Sequence, residues 1–222
     1  MASIFPTVAV PLRAAAAALS TVLLSGCSLF GIRAGYEQPP YEVIGHLGDA
    51  VEVRRYAARL AAETTVAAPD AEAGQDAAFR ILAAYIFGAN RTKTGISMTA
   101  PVAVEAPAER IAMTAPVQSA PAADGTYVMR FFLPASLTLA TAPQPTDADV
   151  RLVEVPAETI AALRFTGSRG AAAVDAQRAA LSRALQGSPW RPTGVPANYF
   201  YDPPWTIPFL RRNEVTVAVA PR

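Results

Sequence analysis

The chain predicts an α+β fold: a pseudo-twofold repeat of strand-strand-helix units that forms a distorted antiparallel β-barrel or sheet carrying two helices. Three observations predict it. Val51-Glu52-Val53 and Val153-Glu154-Val155 each open a pair of alternating segments. Each pair leads into one helical pattern, near residues 74–88 and 171–186. The two halves are offset by close to 100 residues, which places two copies of one layered unit around a shared core.

The first half begins at Val43-Ile44. Val51-Glu52-Val53-Arg54-Arg55-Tyr56 alternates as a half-buried strand does, and Leu60 to Val66 reads as its hairpin partner. Pro69, Asp70 and Gly74 punctuate the start of the first helix, and Gly88 with Asn90 ends it. Met98-Thr99-Ala100-Pro101-Val102 then recurs, fifteen residues on, as Met113-Thr114-Ala115-Pro116-Val117. Both copies read as neighbouring β-segments joined by the polar loop Glu105 to Arg110. Because Pro removes a ladder donor, each copy is expected at an edge or a bulge. Tyr127 to Leu133, Val150 to Val155 and Glu158 to Phe165 are strands, and Ala140 to Asp149 is a loop. The second helix runs from about Ala171 to Leu185 and stops at Gly187, and Glu214 to Val219 closes the domain.

Residues 1–26 read as a lipoprotein signal peptide. Arg13 precedes the apolar run Ala14 to Leu24, about eleven residues against the ~20 that span a bilayer. Leu24-Ser25-Gly26-Cys27 matches the bacterial lipoprotein processing box, with small residues at the cleavage point. Cys27 is then the lipidated first residue. Residues 27–40 form a flexible tether with Gly31, Gly35 and Pro39-Pro40, and the domain occupies 41–222. Lipidation of the only Cys leaves none for disulfides, thiolate metal sites or thiol catalysis. Removing residues 1–26 removes one charge, Arg13, and leaves 18 basic against 18 acidic residues, so nothing points to nucleic acid.

The helices differ. In the second, Asp175, Gln177, Arg178, Ser182 and Arg183 oppose Val174, Leu181, Ala184 and Leu185, a surface helix with one buried stripe. In the first, Ala77 to Ala89 carries one charge, Arg80, and is apolar on two sides. Ile81, Leu82 and Tyr85 cover the sheet, while Phe79, Ala83 and Ile86 face elsewhere. Either a loop covers that second side or it is a shelf for a flat apolar ligand.

The doublet, Tyr85-Ile86-Phe87-Gly88-Ala89-Asn90 before it, Phe131-Phe132-Leu133-Pro134 after it, and Tyr201-Asp202-Pro203-Pro204-Trp205-Thr206 with Arg211-Arg212-Asn213-Glu214-Val215 closely resemble the SOUL haem-binding family. Tyr41-Glu42-Val43-Ile44 and Val51 to Tyr56 resemble its opening strands, so the likeness runs from about Tyr41 to Val219. The resemblance implies a pseudo-symmetric α+β barrel that binds haem b or a porphyrin non-covalently. It places the haem-binding residues at Phe79, Leu82, Ala83 and Ile86 on the first helix and at Tyr199, Phe200 and Trp205 near the last strand. Arg80 is the cation for the propionates, ahead of Arg91 and Lys93. Where some members carry a His proposed as an iron ligand, this chain has Arg55. Its only His, His46, lies between Gly45 and Gly48 and reads as an exposed loop residue, so binding without a His axial ligand is expected, with no metal site of the protein's own.

The implied function is a tetrapyrrole carrier, buffer or scavenger in the bacterial envelope, held by the lipid on Cys27. Ser28, in place of Asp, favours the periplasmic face of the outer membrane. Two other readings compete. One is a ligand-free interaction protein using Ala106–Pro107, Ala115 to Pro121 and Thr141 to Pro145. The other is a haem-degrading or hydrolytic enzyme, for which Glu52, Glu154 and Glu214 are better read as structural partners of Arg54 or Arg212, so no catalytic residue is assigned.

Overall fold

The computed structural model describes residues 37–91, 111, 114–121, 126–203 and 205–222. The first copy of the doublet, Lys93 and Cys27 lie outside the described residues. The elements are β1 (Tyr41–Leu47), β2 (Val51–Tyr56), β3 (Arg59–Ala67), α1 (Ala71–Ile86), β4 (Asn90–Arg91), β5 (Val117–Pro121), β6 (Thr126–Phe132), β7 (Gln144–Pro145), β8 (Arg151–Val155), β9 (Glu158–Phe165), α2 (Ala171–Leu185), β10 (Trp190–Pro192), β11 (Ala197–Phe200) and β12 (Asn213–Pro221).

The expected hairpin of β2 with β3 does not form. Ala57-Ala58 between them has none of the Gly or Asn chemistry of a tight hairpin, so the chain runs on. β2 pairs instead with β9, from Val51↔Leu163 to Tyr56↔Glu158. β3 pairs with β8, from Arg59↔Val155 to Glu63↔Arg151. Three residues forward from Tyr56 to Arg59 match three back from Glu158 to Val155, so one register runs through both pairs. The two halves of the repeat thus embrace as a single antiparallel ribbon, interrupted where Pro156 has no N–H to give.

The described strands build a 10-stranded sheet in the order β1-β2-β9-β12-β11-β5-β6-β3-β8, with β10 added beside β12, and a separate β4-β7 pair. Because β2 continues into β3 and β8 into β9, the sheet curls into a half-barrel. Side chains alternate between its faces. Leu60 and Ala62 pack under α1 while Ala61 points inward, and Ala161 and Leu163 pack under α2 while Ile160 and Ala162 point inward. Both faces are therefore cores, and each helix covers one half of the outer face.

Asp70 caps α1, its carboxylate accepting from Ala73 N at 2.8 Å. Gly74 lies inside the helix, where a Cβ would stand 2.4 Å from the Tyr127 ring. The second apolar side of α1 is covered over its C-terminal half. Tyr85 Oη donates to Pro143 O at 2.8 Å, Ile111 N donates to Ile86 O at 3.0 Å, and Leu133, Leu137 and Ala142 pack beside them.

Three other expectations change. Ala115 and Pro116 are buried, and Pro116 stands just before β5, so its missing N–H costs the ladder nothing; β5 is a central strand between β11 and β6 rather than an edge or an exposed contact segment. His46 is exposed but in strand β1, opposite Glu52. The end of the tether is docked: Glu37 O accepts from Ala115 N at 2.9 Å, and its carboxylate from Ala135 N at 2.8 Å.

Candidate functional site

The two helices leave the middle of the outer face uncovered. There the floor of a cleft of about 800 Å³ is made by β6, β5 and β11. Cross-strand register sets it out in two rows. Val117 and Phe200 stand side by side in one, with the buried Phe131 next to Val117, and Met129, Ser119 and Asn198 stand in the next. Phe79 descends from α1 onto the floor, edge-on to Phe131 with centroids 5.5 Å apart. The N-terminal half of each helix forms a wall.

The walls differ in charge: the α1 side presents Asp70, Glu72 and Asp76, and the α2 side presents Arg169, Arg178 and Arg211 with Asp175 and Asp202 among them. Arg169 lies over the Phe200 ring, 4.8 Å from its centroid; its Nε donates to Asn213 Oδ1 at 3.1 Å and an Nη to Asp202 O. Burial first, and then the neighbouring Arg211 charge, pull its pKa down to about 10 against the pull of Asp202. Arg169 and Arg211 share this corner with one carboxylate, Asp202, so one positive charge is left over for a further anion. Arg178 donates to Asn198 Oδ1 and Asp175 Oδ1, each at 3.3 Å. Its buried Nε, and the buried Ser119 Oγ on the floor, have no hydrogen-bond partner among the described residues. Orphaned buried donors of this kind are uncommon and mark places where a further partner fits.

The structure brings together only part of the residue set expected from sequence. Phe79 and Phe200 both line the cleft. Leu82 and Ile86 are 0% and 2% exposed, inside the core beneath α1. Ala83 is half-buried a turn beyond Phe79, and Arg80 is exposed with its Nε donating to Asp76 O at 3.3 Å. Tyr199 faces the other side of the sheet, against Phe132. Trp205 is exposed in the connection from β11 to β12, and Arg91 is exposed in β4. Sequence reasoning missed Met129, Ser119, Arg169, Arg178 and Arg211. One signal was available: Arg169-Gly170 occupies, 100 residues on, the place of Pro69-Asp70, so the two helix entrances carry opposite charge.

The inner face holds a second constellation. Glu214, 0% exposed, accepts from Arg54 at 2.7 and 3.1 Å, from Arg212 at 2.7 and 3.0 Å, and from Tyr201 Oη at 2.8 Å. Burial would raise its pKa, but the hydrogen bonds and charges of Arg54 and Arg212 outweigh burial and hold it below the usual carboxylate range. Five donors saturate the carboxylate, which has no lone pair left for a general base. Among the described residues, no group of three or more His, Cys, Asp or Glu side chains could hold a metal ion.

Two helices astride a curled antiparallel sheet, with a cleft between them, define a two-repeat α+β half-barrel. The profile of the SOUL heme-binding protein family matches residues 36–218, and the chain belongs to that family. No curated protein matches it. Among solved structures it is similar to the EcmrR C-terminal domain, at 12% identity and TM-score 0.54 over 82% of this chain and 99% of that one. EcmrR in its DNA complex gives 12% identity and TM-score 0.54 over 95% and 68%. A hydrolase from Listeria innocua gives 12% and 0.47 over 77% and 92%. At these identities the EcmrR likeness is one of fold alone.

Proposed function

We propose that this protein binds haem or a related porphyrin non-covalently in the cleft between α1 and α2. The observation that carries the reading is an apolar surface, Val117 and Phe200 of the floor with Phe79, beside two buried donors, Arg178 Nε on the α2 wall and Ser119 Oγ on the floor, that have no hydrogen-bond partner among the described residues. A volume of about 800 Å³ lies within the range of small-molecule sites. Phe79 and Phe200 offer aromatic surface to the macrocycle, and Arg169, Arg178 and Arg211 offer charge-assisted hydrogen bonds to its carboxylates. The acidic α1 wall disfavours the reversed orientation. Haem, when bound, would supply redox-active iron. The described lining contains no His, and its only soft donor is the Met129 thioether, so affinity rests on the macrocycle and its carboxylates. We read the protein as a binder rather than an enzyme, since the saturated Glu214 is not poised for acid–base work. Family membership supports the ligand class, and the Leu24 to Cys27 box supports a lipid-anchored carrier, buffer or scavenger at the periplasmic face of the outer membrane.

The test is an absorbance titration of the Ser28–Arg222 fragment with haem and with protoporphyrin. A saturable change at micromolar ligand is expected; its absence for both ligands would sink the reading.

A further inference from the structure

The connection from β11 to β12 presents large apolar side chains to solvent on a fixed backbone. Trp205 is 61% and Phe209 70% exposed. Residues 203–212 read Pro-Pro-Trp-Thr-Ile-Pro-Phe-Leu-Arg-Arg, without a carboxylate. The backbone is tied at several points: Gly167 N donates to Pro208 O at 2.9 Å, Arg211 Nε to Thr206 O at 2.7 Å, and Arg212 N to Asp202 Oδ2 at 2.6 Å. Exposed aromatics on a held loop, whose one acid, Asp202, is buried and turned to Arg212 N, suit an interface and not bulk water.

Two contacts say which interface. The same connection supplies Asp202 and Arg211 to the cleft, so it forms one lip of the cleft. Arg212 Nη1 also donates to Gln38 Oε1 at 3.4 Å, so the segment leading back to Cys27 arrives at this end of the molecule. Only residues 28–36 separate Cys27 from Glu37, a reach of about 35 Å at most.

We propose that this lip docks on a lipid bilayer, with Trp205 and Phe209 entering the interfacial layer, so that the cleft opens at the membrane and exchanges an amphiphilic ligand with it. The proposal rests on the reading of Cys27 as the anchored residue. Trp and Phe in a segment whose residues 203–212 carry two Arg and no acid are what the interfacial region of a bilayer accepts.

The chain carries its own ruler. It has two Trp. Trp190 pairs with Pro221 at the far end of β12, while Trp205 lies beyond Asn213 at the near end, and the nine residues of β12 span about 27 Å. The fragment Cys27–Arg222 contains every described element, and its one thiol couples to a maleimide lipid in phosphatidylcholine/phosphatidylglycerol vesicles with brominated acyl chains. Single-Trp variants Trp190→Phe and Trp205→Phe then report each end. Trp205 emission is expected to be quenched several-fold more than Trp190 emission, and Phe209→Asp to remove the excess without moving the urea midpoint. Equal quenching of both, or concentration-dependent dimerisation of the uncoupled fragment that shields Trp205, would overturn the proposal. The mass of the full chain from a bacterial host reads the anchor separately: an unmodified Cys27 with Trp205 still quenched in the coupled fragment removes the anchor and leaves the lip.

Discussion

Arg54 and Glu214 grip one another through two hydrogen bonds, 2.7 and 3.1 Å long, across 160 residues of sequence, with side-chain exposures of 2% and 0%. The pair ties β2 of the first repeat to the closing strand β12 on the inner face of the half-barrel. Removing Glu214 would leave the buried Arg54 only Glu52, 2.7 Å from its Nε, and would take the carboxylate from Arg212 as well. Glu214→Ala should therefore destabilise the protein by about 3–5 kcal/mol, read from urea denaturation. Arg54→Met with Glu214→Leu should recover part of that loss, because no unpaired charge of this pair then remains, although Arg212 still loses an acceptor.

The same carboxylate sets an acid limb. Its folded pKa lies below its ordinary value, so its contribution is present above the unfolded carboxylate value, about 4.3, and is lost as pH falls through the folded one. The stability gap between wild type and Glu214→Gln should be constant above about pH 5 and should close below about pH 4. An alkaline limb is also expected. Burial pushes the Tyr56 phenol up to about 12, with Arg54 opposing. A raised phenol favours the folded state below its unfolded value, about 10, and loses that advantage as pH rises through the folded one. Denaturant midpoints measured from pH 3 to 12 check both limbs.

Gly74 offers a test whose sign is diagnostic. Gly to Ala inside a helix ordinarily gains about 1 kcal/mol, but here the new Cβ would stand 2.4 Å from the Tyr127 ring. Gly74→Ala should cost about 1–3 kcal/mol. In a Tyr127→Ala background the same change should become stabilising. Tyr127 also lines the cleft, so Gly74→Ala should alter ligand affinity as well, by displacing that ring.

At the entrance of α1, Asp70→Ala removes the acceptor of the Ala73 N–H and should cost about 1 kcal/mol. Asp70→Asn should cost much less, because the amide oxygen keeps that bond.

Much of the fold was legible because its signals are local. The alternation of 51–56 and the Asp70 and Gly187 helix limits each depend on neighbours in sequence, and the repeat shows because each copy carries the same local pattern. The exchange of β2 and β3 onto β9 and β8 was not legible, since it follows from a missing turn at Ala57-Ala58 and from pairing across 100 residues. β11 was missed because it is four residues long, follows Pro196 and carries Asn198 in its middle. Of the residues expected from sequence, Phe79 and Phe200 line the candidate cleft. Tyr199 and Phe200 alternate, so only one can face the cleft, and sequence does not say which. Likewise both sides of α1 are apolar, and what distinguishes them is where Pro143 and Ile111 happen to pack.

The central claim is that the ligand sits between α1 and α2 near their N-termini, and not on the C-terminal half of α1. The most direct measurement is the dissociation constant for haem, and in parallel for protoporphyrin, of wild type, Gln75→Trp and Ala83→Trp. Both sites are half-buried positions on α1, two turns apart, and only Gln75 lines the cleft. The account predicts at least about tenfold weaker binding, or about 1.4 kcal/mol, for Gln75→Trp, and near wild-type binding for Ala83→Trp. The reverse order, or equal binding by all three, would contradict it.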